Sequence, residues 1–345
     1  MRIIFISVLL LFVANCAPKI KNFNQYIKQP ILKSEYITKE AFERDKPNIV
    51  IANFNNRDNE IARKANLGNS MAVALENLLG SSKLVKLQDR RAFKNLEKEI
   101  ALAELKQTGS YEGPVEADYA VSGEVSIADY QYKFIAERIS YNAKKGEVYR
   151  VPAQHKYIAT FSGNLKIYEL PSLKIYEVVP LKGKKIRIED AIVNRSWLFN
   201  TTIDSSMMKK EDFELVQKAG EVALTKNKHL IQNIFSNLRK GYILEKRAKG
   251  NKTIFKISLG KNSALKNGQK VKIYTVTEVE NPITEEIKKE NIELGVATVT
   301  DRISEQYAWI LVKDAKLAAR LKIGDFVTVI YKKDYLNNLL STYID

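Results

Sequence analysis

The residue types that do chemistry are few in this chain and widely spaced. Among 345 residues there are two histidines, His155 and His229, and one cysteine, Cys16. Neither histidine has a second ligand at metal-binding spacing, and a zinc site needs a set of Cys and His that the sequence does not hold. His229 stands among Lys226, Lys228 and Leu230 and reads as a surface residue of a helix. Gly68-Asn69-Ser70-Met71-Ala72 has the outline of a nucleophile elbow. That turn needs a strand directly before the serine, and helical periodicity runs through Ser70 instead. No P-loop or dinucleotide fingerprint is present. Glu189-Asp190 and Glu211-Asp212 fall in charge-mixed stretches or at a helix start, where attraction to the helix dipole accounts for them. These residues argue against an enzyme and require no cofactor, metal or small-molecule substrate.

Cys16 is the exception. Met1-Arg2 gives a short positive head, and Ile3 to Val13 is apolar apart from Ser7. The run is too short to cross a bilayer as a helix, which takes about 20 residues, and it has the build of a secretory signal peptide. Val13-Ala14-Asn15-Cys16-Ala17-Pro18 resembles the bacterial lipobox, where a peptidase cuts just before a cysteine carrying diacylglycerol. Asn15 departs from the Gly or Ala usual at that place. A lone cysteine in an exported chain would be a reactive leftover, and lipidation gives it a use. Residues 1–15 are therefore expected to be a signal peptide and Cys16 the lipid attachment site of a membrane-anchored lipoprotein. Two or more acyl chains anchor stably where one does not. Lys19, rather than Asp, after Ala17-Pro18 fits outer-membrane sorting by the rule of some enteric bacteria. The expected location is the periplasmic face of the outer membrane.

Hydrophobic residues at 45% and charged residues at 28% describe a globular protein. The formal net charge of +16 invites a nucleic-acid partner, but export argues against one. A basic face near an anionic membrane, a polysaccharide or an acidic partner fits better, and lysine-rich composition for solubility fits equally well.

The elements follow from periodicity. After a polar, lysine-rich stretch to residue 46, read as a lipidated N-terminus and tether, Asn48 to Phe54 is a buried strand. Leu67, Met71, Leu75, Leu78 and Leu79 recur at helical spacing. Lys83 to Leu87 reads as a strand, and Asp89 as the cap of a helix through Phe93, Leu96, Ile100 and Ala103. Two alternating strands follow, one through Tyr119, Val121, Val125 and Ile127, the other through Tyr157, Phe161, Leu165 and Ile167. Leu170-Pro171-Ser172-Leu173 turns the second into a third, Lys174 to Val179. Val216, Ala223, Leu230, Ile234 and Leu238 mark a long amphipathic helix ended by Gly241. Residues 47–240 thus make an α/β domain with helices covering a mixed sheet.

Residues 241–335 change to short strands with glycine turns: 253–259, 269–275, 294–300, 307–312 and 325–331. Leu265-Lys-Asn-Gly268 before Val271 and Ile273 is echoed by Leu321-Lys-Ile-Gly324 before Val327 and Val329. Such strands suit a small closed, SH3-like β-barrel. Glu278 to Asn291 reads as a charged loop, and Leu336-Leu339-Leu340, in a C-terminal tail of residues 336–345, as a last short helix.

Ala117-Asp118-Tyr119-Ala120-Val121-Ser122-Gly123-Glu124-Val125 resembles a strand of the CsgG-type curli-secretion lipoproteins, and Asn164 to Tyr168 with Lys174 to Tyr176 resembles that family's paired strands. The likeness covers roughly residues 45–240, and the barrel is similar to the C-terminal module of the flagellar protein FlgT. The resemblance implies a non-enzymatic binding or assembly lipoprotein serving a flagellar, secretion or cell-wall machine, with protein partners of the envelope. Its alternative is an oligomeric outer-membrane secretion pore whose membrane hairpins would fall at 128–157 and 181–211. Tyr130, Tyr132, Phe134 and Ala136 alternate well for such a wall, but Arg138 follows on the same face. Lys182, Lys184, Lys185, Arg187 and Arg195 crowd the second segment, and a basic residue at the lipid-facing midplane of a barrel costs about 2–4 kcal/mol.

Overall fold

The computed structural model describes residues 17–36, 46–57, 59–93, 95–106, 109–113, 116–143, 146–191, 193–195, 201–203, 211–334 and 342. Cys16 and the leucines 336, 339 and 340 lie outside the described residues. In chain order the first strands are β1 (Ile27–Gln29), β2 (Asn48–Ile51), β3 (Lys86–Gln88), β4 (Tyr119–Ile135), β5 (Arg138–Asn142) and β6 (Glu147–Val151). Then come β7 (Gln154–Glu169), β8 (Lys174–Asp190), β9 (Val193–Arg195), β10 (Thr201–Ile203), β11 (Gly241–Lys249) and β12 (Lys252–Ile257). The last four are β13 (Lys270–Glu280), β14 (Ile287–Ile303), β15 (Ala308–Val312) and β16 (Phe326–Ile330). The helices are α1 (Glu60–Lys64), α2 (Leu67–Ser82), α3 (Leu96–Lys106), α4 (Phe213–Leu238) and α5 (Ala315–Arg320).

Two compact units form. One holds Asn48–Ser81 and Leu87–Ile231; the other holds the barrel strands, the described residues up to Pro47, Ser82–Lys86 and the end of α4 from Gln232. The first unit is the mixed α/β layer. Its sheet runs β3-β2-β4-β7-β8, with β2 parallel to β4 and β7 antiparallel to both β4 and β8. Ile49, Val50 and Ile51 are buried without alternation, as a strand covered on both faces requires. Leu67, Met71, Leu75 and Leu79 bury one stripe of α2, and Leu96, Ile100 and Ala103 one stripe of α3. Burying each such large side chain is worth about 1.5–3 kcal/mol.

Some local expectations are corrected. The strand expected at Lys83 to Leu87 is Lys86–Gln88, because Lys83 takes a positive φ of 54° and turns the chain after α2. Asp89 caps a single 3-10 turn, accepting from the Arg91 amide at 3.0 Å, and α3 begins only at Leu96. The turn at Leu170–Leu173 is as expected and contains a cis Leu170–Pro171 bond.

The second unit is a six-stranded antiparallel barrel in the order β11-β12-β15-β14-β13-β16, closed where Gly241 and Tyr242 of β11 pair with Val327 and Phe326 of β16. Ile243, Phe255, Ile257, Val271, Ile273, Val299, Ile310 and Val327 fill it. Six strands replace the five expected, because β11 is charged from Glu245 onward and its sequence does not stand out from the run-out of the preceding helix. The glycine echo is structural: Gly268 and Gly324 take φ values of 79° and 95°, and the strands they launch are register partners, with Val271 opposite Val329 and Ile273 opposite Val327. A glycine tolerates that backbone region at little cost.

The charged loop expected at Glu278 to Asn291 is instead a hairpin arm. β13 and β14 stay paired out to Glu280 and Ile287, while β16 accompanies β13 only to Tyr274. The arm covers neither face, so no alternation marks it in the sequence.

The stretch read as a tether is docked over its first half. Ile20 and Tyr26 are buried against Ile254, with Phe23, Trp309 and Leu311 beside them, and β1 pairs with β11.

Candidate functional site

The feature that distinguishes the α/β unit is the length of β4, β7 and β8. They are 17, 16 and 17 residues long, and β2 accompanies β4 only at Tyr119–Val121. Beyond a bridge between Asn55 and Glu124, β4 has β7 as its strand neighbour out to Ile135, and β8 is the edge strand of the sheet. The result is a three-stranded ribbon. Gln154 of β7 is opposite both Ile135 of β4 and Asp190 of β8, so the two segments expected as hairpins leave the ribbon from one end.

Helix α4 reaches this ribbon because Gly183 lets it. A Cβ on Gly183 would sit 1.9 Å from the Ala219 carbonyl oxygen and 2.8 Å from the Ala223 amide nitrogen. Past Gly183, the ribbon carries an aromatic row. A β-bulge between Val125 and Ile127 resets β4 so that Tyr130, Tyr132 and Phe134 stand opposite Ala159, Tyr157 and His155. The Tyr132 hydroxyl and His155 Nδ1 are hydrogen-bonded at 2.9 Å, and the rings of Tyr130 and Tyr157 stack at 6.4 Å. Burial, with the charge of Asp212 adding to it, pushes the Tyr130 hydroxyl up to about 12.

Arg187 closes the row. Its guanidinium lies 5.1 Å from the Tyr157 ring centroid, pairs with the buried carboxylate of Asp212 and reaches Glu189 at 2.9 Å. Asp212 in turn accepts from the Leu215 amide at 3.1 Å, capping α4. The ribbon and the start of the helix are thus tied by one charge pair. Arg187 enters the sequence reading only as an obstacle to a membrane wall, and nothing in its neighbourhood marks Asp212 as its partner.

At the far end, β5 and β6 form a separate two-stranded hairpin, because the alternation of β4 breaks at Ala136-Glu137. Ile139, Tyr141, Val148 and Arg150 share one face, and Arg138, Ser140, Tyr149 and Val151 the other. Arg138 therefore pairs opposite Val151, on the face away from Ile139, Tyr141 and Val148. Ile139, Tyr141 and Val148 are 74%, 64% and 69% exposed, and Arg150 on their face meets Glu137 at 2.5 Å. Of the second segment, β9 and β10 are described and pair with each other, while residues 196–200 and 204–210 lie outside the described residues.

A cavity of about 520 Å³ lies on the other face of the sheet, between the Asn53–Arg57 loop, α3, β4 and β7. Lys166 Nζ contacts Glu104 at 2.7 Å and Glu124 at 3.4 Å, the Tyr168 hydroxyl donates to Glu104 at 2.5 Å, and Arg57 pairs with Glu124. Burial would lower the Lys166 ammonium, but the hydrogen bond and charge of Glu104 outweigh it and hold the group above its ordinary value. Charges here satisfy one another.

The other residues considered for chemistry are placed apart. Ser70 is on α2, and its buried hydroxyl has no hydrogen-bond partner among the described residues. His155 is in the aromatic row. His229, expected at the surface, is partly buried on α4, and burial followed by the charge of Lys333 lowers its pKa. Among the described residues no group of three or more His, Cys, Asp or Glu could hold a metal, and no helix is long and apolar enough to cross a membrane.

No protein-family model matches the sequence, and no curated protein matches it. Among solved structures the chain is similar to PelC from Paraburkholderia phytofirmans, solved as the dodecamer of a point variant. The two are 13% identical with a TM-score of 0.22, over 58% of this chain and 93% of that one. A superposition this loose carries no residue correspondence.

Proposed function

We propose that this chain is a non-enzymatic, lipid-anchored subunit of an oligomeric envelope assembly of the secretion-pore class. The ribbon carries the reading. β8 is a sheet edge, β4 outlasts β2, and both present apolar residues to solvent: Ile127 on β4, and Ile175, Val178 and Ile188 on β8. Long exposed edges invite pairing with another chain. Pairing the β4 side of one copy with the β8 side of the next is a head-to-tail contact, which closes a ring if the rotation closes. Each copy would then bring its two hairpins, from 128–157 and 181–211, to the same end. Only a closed barrel satisfies strand backbones inside a bilayer.

The face of Ile139, Tyr141 and Val148 suits the outside of such a wall, with Arg150 on it paired to Glu137, and the face of Arg138 and Ser140 suits the inside. In this reading Cys16 carries the lipid and the assembly stands at the outer membrane, on the periplasmic side. Membership of the CsgG-type superfamily belongs to the same proposal, on the order of elements in the α/β unit.

One observation favours a docking factor without a pore. Lys182 and Lys184 are exposed on β8, where a lipid-facing wall has little room for charge. The two readings separate on the variant Ile139→Lys/Tyr141→Lys/Val148→Lys, which alters exposed side chains only. A pore subunit loses membrane insertion and conductance with its fold unchanged. A docking factor keeps its membrane association through the lipid, and the wild-type protein never conducts.

A further inference from the structure

The chain leaves the expected lipid site with almost no slack. Ala17 directly follows Cys16, so their Cα atoms are about 3.8 Å apart across a trans peptide. Ala17 is already on the barrel: a Cβ on Gly268 would sit 3.0 Å from the Ala17 Cβ, and glycine at φ 79° leaves that space open. The next residues are fastened as well. The Asp301 amide donates to the Pro18 carbonyl at 3.2 Å, and the Ile20 amide to Asp301 Oδ1 at 2.8 Å. Ile20 is buried, and Phe23 lies edge-on to Trp309 at 5.1 Å with Arg247 4.9 Å from the Phe23 ring. This is a latch from Ala17 through β1, not a free linker.

The surface around the latch has one sign of charge in excess. Lys19, Lys21, Lys266 and Arg302 are exposed there, with the carboxylate of Asp301 among them. Basic side chains held at a membrane surface are attracted to anionic headgroups, and a lipid anchor with a basic patch binds more stably than either alone.

We propose that the barrel is seated on the bilayer, with the Lys266–Gln269 turn, Arg302, Lys19 and Lys21 against anionic lipid headgroups. This rests on lipidation at Cys16 but goes beyond it, because a lipid on a free linker would leave the barrel's orientation open. It gives the excess positive charge a use and turns the anchor into an orienting device. Strand β13 starts from this end of the barrel and leads away from it for 11 residues, through the wall to Tyr274 and on to the arm tip. At roughly 3.4 Å per residue the arm tip lies on the order of 35 Å from the seat.

The test uses the full-length lipidated protein reconstituted in vesicles of phosphatidylethanolamine with phosphatidylglycerol. Cys16 is the sole cysteine and would be blocked by lipid, so Asn267→Cys and Thr284→Cys each introduce one reactive thiol for a fluorophore. Strong quenching by a headgroup-attached quencher at position 267, and weak quenching at 284, is the expected result. Lys19→Gln/Lys21→Gln/Lys266→Gln should weaken the contact, as should replacing phosphatidylglycerol with phosphatidylcholine. Three charges removed correspond to at least about a tenfold loss in the seated-to-released ratio. Equal quenching at 267 and 284, or no response to lipid charge, overturns the seating while the anchor stands. Acyl labelling is the separate control: if Cys16→Ser removes neither label nor membrane association, the lipid anchor fails and the seating with it.

Discussion

Arg187 and Asp212 form the charge pair that joins the long ribbon to the first turn of α4, with the Tyr157 ring 5.1 Å from the same guanidinium. The Asp212 side chain is 4% exposed and the Arg187 side chain 21% exposed, so the pair is largely out of water. Arg187→Ala leaves a buried carboxylate with its main counter-charge gone. The loss expected is about 2–4 kcal/mol, set below the full figure for a buried pair because Arg187 retains some solvent. Urea unfolding measures it. Arg187→Lys should recover part of the loss, since it restores charge without the planar fork.

Gly183→Ala tests the contact that brings α4 onto the ribbon. The new methyl would stand 1.9 Å from the Ala219 carbonyl oxygen, a backbone atom that cannot rotate away. Overpacking of this kind costs about 1–3 kcal/mol, and a lowered thermal midpoint would report it. An unchanged midpoint would mean the helix sits further from β8 than described.

Asp325 supplies a pH dependence. Burial raises its carboxyl above the ordinary value, although the Lys322 amide donates to it at 2.7 Å. A raised folded-state pKa favours the protonated form. Asp325 therefore contributes stability below the unfolded pKa of about 3.9 that is lost as pH rises through the folded value. Asp325→Asn, which retains an acceptor for the Lys322 amide, should stabilise the barrel at neutral pH. The gain should shrink as pH falls through the raised folded value and be gone below about 4. Denaturant midpoints of both proteins across that range would show it.

The β13–β14 arm should open independently of the barrel. Its two strands pair only with each other beyond Tyr274, and an isolated two-stranded ribbon is marginally stable in water. Amide hydrogen exchange should be fast from Thr275 to Glu280 and slow from Lys270 to Ile273. Equal protection would point to a partner covering the arm.

How far the sequence carries depends on burial. Ile49-Val50-Ile51 and the stripe Leu67, Met71, Leu75 and Leu79 are readable because each buries its apolar residues against a layer. Val271 and Ile273, with Val327 and Val329, are readable for the same reason, and the glycines that launch them add a backbone signal. The arm at Thr275–Glu280 is invisible, since a ribbon wet on both faces imposes no period on its side chains. The docking of residues 17–29 is not legible either, because three anchors, Ile20, Phe23 and Tyr26, hold it, too few to set a pattern. At the candidate site the alternation of Tyr130, Tyr132 and Phe134 is legible, but the bulge after Val125 and the break at Ala136-Glu137 are not. Those two irregularities decide which residues share a face, and through them whether Arg138 stands with the apolar side chains or away from them. The Arg187–Asp212 pair joins residues far apart in sequence, and only the fold brings them together.

The most direct measurement is of detergent-extracted wild-type protein, sized by light scattering and assayed for conductance in a planar bilayer. A ring of several copies that conducts is the outcome predicted, with Ile139→Lys/Tyr141→Lys/Val148→Lys abolishing conductance. A monomer that never conducts would contradict the pore and leave the lipid-anchored docking factor in its place.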